Sequence, residues 1–171
     1  MKKIDIKDLK KNPYTMFADE WTLVTAGTSV DNYNTMTASW AHIGCIWGHK
    51  GGKPTAIIYV RPTRYTKKFV DENDYFSLTF FDEKFRKDLS YLGTHSGRDE
   101  DKVSKTSLTP HEDNRAVYFN EANTVLICRK LYAQDIKEEC FIDKSIVDDS
   151  YPLKDFHTLY VGEIEEVLVN E

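Results

Sequence analysis

Along much of this chain apolar and polar residues follow the two-residue period of half-buried strands, with short helical runs between. Trp21-Thr22-Leu23-Val24-Thr25-Ala26 reads as a strand that Gly27 ends. Met36 to Trp47, rich in Thr, Ile and Trp, forms a second extended stretch, and Gly48 to Pro54 makes a turn. Ala56-Ile57-Ile58-Tyr59-Val60 is short, apolar and partly β-branched, the mark of a buried strand. Tyr75 to Phe81 is another strand. From Asn123 to Ile136 runs a long one, with Val125, Ile127, Arg129, Leu131 and Ala133 on one side. His157 to Val169 closes the pattern, alternating in part through Leu159, Val161, Ile164 and Val167.

Helical signals are fewer. Asn12-Pro13 is a helix start, since Asn caps and Pro is tolerated at the first helical position, and that helix runs to about Asp19. A second short helix spans Tyr65 to Asn73. Phe85, Leu89 and Leu92, at i, i+4 and i+7, share one face of a third. Val103 to Asn114 carries no clear period.

Strands dominate, and there is no βαβαβ rhythm, GxGxxG or GxxxxGK[ST], which argues against a doubly wound nucleotide fold. The expected class is β or α+β: an antiparallel barrel with short helical insertions, whose closure removes exposed sheet edges. At 171 residues, without repeat or linker, the chain fits one domain.

Charge narrows the partners. Twenty-three Lys and Arg against 28 Asp and Glu give a net charge of −5, without the basic footprint that nucleic acid requires. Cys45, Cys128 and Cys140 are odd in number and contain no CxxC pair, so reduced thiols are expected rather than a disulfide framework or zinc site. Met1 to Lys11 is charged, and no stretch approaches the roughly 20 apolar residues of a membrane span. The expectation is a soluble cytoplasmic protein. Five scattered His lack HExxH spacing, and no Ser/His/Asp triad signature is visible.

Four stretches carry candidate chemistry. Asn34-Thr35-Met36-Thr37-Ala38-Ser39-Trp40 is small and hydroxylated, which lets a ligand approach the backbone; composition alone favours an ordinary Thr/Ser-rich strand start. Arg61-Pro62-Thr63-Arg64-Tyr65-Thr66 follows a buried strand and precedes a helix. Two guanidinium groups, hydroxyls and opening helix amides there suit a phosphate, against the alternative of a solvated loop. His95 to Lys102 is a turn leading into a short helix with Asp and Glu in its first turn, by itself a capped surface helix. Asp155-Phe156-His157 precedes Gly162-Glu163, and a lone His on a strand is usually structural.

Taken together and in this order, "NTMTASWA" (34–41), "RPTRYTKKF" (61–69), "GTHSGRDEDK" (93–102) and "DFHTLYVGEI" (155–164) resemble the flavin reductase family with the FMN-binding split barrel, flavoredoxins in particular. The resemblance covers about Asn12 to Leu168. It implies a split barrel and a homodimer holding FMN near the subunit interface. It also implies electron flow from NAD(P)H through flavin to a small-molecule or protein acceptor, or, as an alternative, an FMN electron carrier between protein partners; a third reading is a domain that binds a phosphorylated ligand without redox work. Thr37, Ala38, Ser39 and Trp40 would lie along the flavin ring and ribityl chain, with Asn34 and Met36 of the same stretch also binding the cofactor. Arg61, Thr63, Arg64, Tyr65 and Thr66 would grip the phosphate, and Ser96, Gly97 and Lys102 would complete the site. His157 matches the histidine of a Gly-Asp-His element on the nicotinamide side, although Asp155-Phe156 stand where the family has Gly-Asp.

Overall fold

The structure, a computed structural model, describes residues 1–170. Its elements are β1 (Lys2–Ile4), α1 (Pro13–Ala18), β2 (Thr22–Ser29), β3 (Asn32–Ala38), β4 (Ala41–Ile46), β5 (Lys53–Val60), α2 (Thr66–Glu72), β6 (Tyr75–Phe80), α3 (Arg86–Thr94), β7 (Pro110–Glu112), β8 (Val117–Phe119), β9 (Thr124–Asp135), α4 (Ser145–Ser150) and β10 (Thr158–Val169). One antiparallel sheet runs β3-β2-β6-β9-β10-β5-β4, with β1 paired to the end of β10; β7 and β8 form a separate hairpin.

Strand alternation sends neighbouring side chains into two different cores. Val24, Phe76, Leu78, Phe80, Leu126, Cys128 and Tyr160 meet Ile58 and Val60 inside the curled sheet, closed by Met16 and Phe17 of α1 and Phe69 and Val70 of α2. Leu23, Val125 and Ile127 point outward, where Leu89 and Leu92 of α3 and Tyr118 and Phe119 cover them. Burying a side chain of this size is worth about 1.5–3 kcal/mol, so both faces of β9 contribute to stability. The fold is therefore the antiparallel split barrel expected, with few and short helices. Among the described residues no helix is long and apolar enough to cross a membrane.

Several local expectations are corrected. Gly27 does not end β2. At φ +147° it sits in a bulge of the β2–β3 hairpin, and a Cβ there would lie 2.3 Å from the Asn32 carbonyl. The stretch Met36–Trp47 is two strands, because the chain leaves β3 at Ala38 and turns through Ser39 and Trp40 before β4. The turn after β4 ends earlier than expected: Pro54 already pairs with Cys45 in β5. Val125, Ile127 and Arg129 share a face, but an extra residue at Leu131 shifts the register, so that Ala133 pairs with Tyr160 and changes sides. A second shift at Glu165 explains why Ile164 and Val167 both face the inner core. His95 to Lys102 forms hydrogen-bonded turns, with Asp99 and Glu100 amides on the Ser96 carbonyl, and no helix.

Candidate functional site

All fifteen residues singled out from the sequence line two adjoining cavities. The first, about 170 Å³, is bounded by Met36, Thr37, Ala38, Ser39, Trp40, Arg61, Arg64 and His157. The second, about 80 Å³, is bounded by Asn34, Met36, Thr63, Arg64, Tyr65, Thr66, Ser96, Gly97 and Lys102. Met36 and Arg64 belong to both, so the two cavities meet between them. Reasoning from sequence missed Tyr59 in the first, and Leu92, Thr94 and His95 in the second. Thr94 and His95 lie inside the third quoted stretch; Tyr59 shows no signal beyond strand alternation.

The floor of the second cavity is built from three chain segments. The buried Asn34 carboxamide donates to Thr66 Oγ1 at 2.7 Å, tying β3 to the start of α2. Gly97 packs so closely on Asn34 that a Cβ would fall 2.0 Å from its Oδ1. A side chain at 97 would therefore push the carboxamide away, which is the physical reason for glycine there. Tyr65 flanks the same place, with the Arg98 guanidinium 5.3 Å above its ring.

The four cations and dipoles expected at a phosphate do not act alike. Arg64 is exposed and makes one described bond, to the Gly93 carbonyl at 3.1 Å, so most of its five donors stay free. Arg61 is engaged elsewhere. Its guanidinium bonds Asp155 Oδ2 at 2.7 Å and the Ser150 carbonyl at 2.8 Å, and lies 5.2 Å above the Tyr151 ring. The helix amides are also less open than the sequence suggests, because those of Arg64, Lys67 and Lys68 bond the carbonyls of Arg61, Arg64 and Tyr65. Lys102 is buried at 4 % exposure and donates to the carbonyls of Leu92 and His95 at 2.8 and 3.0 Å, where it caps the end of α3. Burial and the nearby Arg64 charge push its ammonium down to about 8. An anion in the cavity would oppose both effects.

The first cavity has a different character. Thr37 Oγ1 donates to the Leu89 carbonyl, which fixes β3 against α3. Beyond it the backbone of Ala38, Ser39 and Trp40 leaves the sheet, and the Trp40 indole stands 49 % exposed, 5.1 Å from the His157 ring. His157 is buried, and its Nδ1 lies 2.8 Å from the Tyr151 hydroxyl. Burial and the charges of Arg61 and Arg64 lower its pKa to about 4, so the imidazole is neutral at pH 7. One cavity thus offers a flat aromatic and main-chain wall, the other a cationic and hydroxyl one.

A larger cavity of about 730 Å³ borders the second through Asn34, Gly97 and Lys102. Asp31, Asp99, Glu100 and Asp101 line it. Those carboxylates would repel a phosphate at close range, so size does not make it the better anion site.

A family model described as "Flavin reductase like domain" matches residues 14–171. No curated protein matches the chain. Among solved structures, a flavoredoxin of Desulfovibrio vulgaris (Miyazaki F) is similar at 24 % identity and a TM-score of 0.66, over 100 % of this chain and 78 % of that one. A flavoredoxin from Methanosarcina acetivorans is similar at 22 % identity and a TM-score of 0.64, over 100 % and 77 %. An NADH:FAD oxidoreductase of Streptomyces globisporus C-1027, solved with NAD and FAD fragments, is similar at 17 % identity and a TM-score of 0.62, over 88 % and 74 %. Identities this low bear on the fold, which is the same split barrel, while the family match extends over nearly the whole chain. By its sequence, and with a fold to match, the chain belongs to the flavin reductase like domain family.

Proposed function

We propose that this chain binds FMN across the two adjoining cavities and works as an oxidoreductase of the flavin reductase type. The observation that carries this reading is the position of Arg64, an exposed guanidinium at the junction of an aromatic cavity and a hydroxyl-lined one. FMN has the same polarity: a flat ring at one end and, like other phosphomonoesters, about −1.5 to −2 charges at the other. The donor set fits that group. Arg64 and the Thr63, Thr66 and Ser96 hydroxyls would hold the phosphate, with Lys102 adding positive charge behind them. Ala38, Ser39 and Trp40 would lie along the ring.

FMN supplies hydride and single-electron chemistry when bound; the protein supplies position and electrostatics. Asn34 keeps the floor in shape through Thr66, and Thr37 holds β3 at a set distance from α3. The neutral His157 beside Trp40 can offer a hydrogen bond without adding charge next to a ring that gains electrons. NAD(P)H is the proposed donor. A homodimer is part of the proposal, since the ring-side cavity opens at the exposed Trp40, where a second copy could cover it.

A second reading has a specific observation in its favour. Phe156 packs 4.8 Å from Tyr151 and 6.0 Å from Phe141, and Asp155 is bound to Arg61, so the approach to His157 is lined by this chain's own side chains. A carrier that takes electrons from a protein donor needs no nicotinamide pocket there. The visible spectrum of the purified protein, with chromatography of the heat-released ligand, tests FMN binding. Stopped-flow bleaching by NADH and NADPH then separates the two readings: fast reduction supports the enzyme, and reduction only by a reduced protein supports the carrier. A colourless protein that refuses added FMN overturns both.

A further inference from the structure

The segment between β9 and β10 leaves the barrel at Ile136, forms α4 and returns at His157. It places Tyr151 against the ring-side cavity wall without exposing it: the residue is 3 % exposed, and its hydroxyl lies 2.8 Å from His157 Nδ1. That contact has two possible directions, and the surroundings choose between them.

A phenol hydroxyl has one hydrogen to place. Among the described residues the hydrogen-bond partner of this hydroxyl is Nδ1. If Nδ1 carried a proton, it would donate to that oxygen, and the phenol's own hydrogen would be left buried without an acceptor among the described residues. An unmade buried hydrogen bond costs about 1–3 kcal/mol, enough to decide between tautomers of a neutral imidazole. If instead the phenol donates to Nδ1, every group in the contact is satisfied. The imidazole proton then resides on Nε2.

The charged groups around the ring act in the same sense. Arg61 and Arg64, from the turn after β5, disfavour a second proton on the imidazole, and Asp155, which favours one, is itself bound to Arg61. Arg61 also lies 5.2 Å above the Tyr151 ring, and a nearby cation makes a phenol a better donor. Tyr59, which lines the cavity from β5, adds no charge at neutral pH.

We propose that Tyr151 is a positioning residue that fixes His157 as its Nε2–H tautomer, so that the wall of the ring-side cavity offers a hydrogen-bond donor and not an acceptor. Any ligand edge that meets His157 must then present an acceptor, as the carbonyl edge of a flavin does. That consequence rests on the proposed function; the tautomer does not.

The test starts on the protein without added flavin. Long-range ¹H–¹⁵N spectra of labelled protein at pH 7 report the tautomer, and His157→Gln assigns the signals. The expected wild-type pattern has a protonated Nε2 and an unprotonated Nδ1. Tyr151→Phe keeps the ring packing on Phe141 and Phe156 but removes the donor, and should give a mixture of tautomers with a raised His157 pKa. A wild-type Nδ1–H pattern overturns the proposal without need of any variant. So does a Tyr151→Phe protein whose tautomer and titration match wild type. FMN titration forms a separate arm: Tyr151→Phe should bind FMN about threefold to tenfold more weakly, the scale of one ordinary hydrogen bond. Failure of wild type to bind FMN would sink the proposed function and leave the tautomer assignment standing; unchanged FMN affinity with the expected spectra would sink only the flavin consequence.

Discussion

At the scale of single residues, the proposed phosphate end of the site depends on very few groups. Arg61 is ion-paired with Asp155, whereas the described partner of Arg64 is a neutral carbonyl, that of Gly93, so Arg64 keeps its charge for a ligand. Arg64→Ala should therefore weaken FMN binding about tenfold to a hundredfold, the range of a charge-assisted hydrogen bond of about 1.5–3 kcal/mol. Riboflavin, which lacks the phosphate, should lose little, and added salt should shrink the FMN effect. Parallel titrations of both flavins into apoprotein provide the comparison, and equal losses would place the phosphate elsewhere. His157 yields a second residue-scale expectation. Its folded pKa of about 4 lies below the ordinary 6.5, so between those values the unfolded chain binds more protons. The stability linked to His157 is thus fully present above about pH 6.5 and is lost as pH falls toward 4. Denaturant midpoints measured across that window should drop more steeply for wild type than for His157→Gln; parallel slopes would remove His157 from the account.

At the scale of elements, β10 is the strand on which the barrel turns. It pairs with β9 along its whole length, and with β5 and β1 on its other side. Gly162 lies in its middle, where a Cβ would come within 2.7 Å of the Phe76 ring and 2.9 Å of Cys128 Cβ. Phe76 is wholly buried and cannot swing away. Gly162→Ala should destabilise the fold by about 1–3 kcal/mol, the usual cost of overpacking, with a lower thermal midpoint and unchanged flavin stoichiometry in the protein that remains folded. A midpoint equal to wild type would show that the ring yields more easily than the packing implies. The same strand displays the limit of periodicity. Leu159, Val161, Ile164 and Val167 read as partial alternation because a bulge at Glu165 resets which side faces inward. Nothing in the local sequence marks that position, since a bulge is a property of two paired strands.

At the scale of the whole molecule, the thiols stand apart from the site. Cys45 and Cys140 are exposed, Cys128 is buried in the inner core with its thiol pushed far up by burial, and none lines either cavity. A flavin exchanges hydride or electrons without a thiol relay. Replacing Cys45 and Cys140 by Ser and Cys128 by Ala should leave the rate of flavin reduction within about twofold, at some cost in stability from the core position. Lost turnover with flavin still bound would reveal a thiol pathway. For the proposed homodimer, sedimentation at micromolar concentration should give twice the chain mass; a monomer holding FMN tightly would remove the second copy from the site.

The sequence by itself determined what depends on near neighbours. Asn12 caps α1 through Tyr14 as its position before Pro13 implies, the apolar runs became strands, and four separated stretches contained fifteen of the residues that line the two cavities. Those features rest on backbone preference and on patterns repeating within a few residues. Tertiary structure decided which groups are free and which are spent. Arg61 looked equivalent to Arg64 until Asp155, far along the chain, occupied it. Lys102, read from sequence as part of a capped surface helix or as completing the site, turned out to be enclosed by the carbonyls of Leu92 and His95. Tyr151 carried no signal until the return from α4 set it on His157. Such choices depend on strand register and on where excursions land, and chain-distant partners fix both, so no local pattern encodes them.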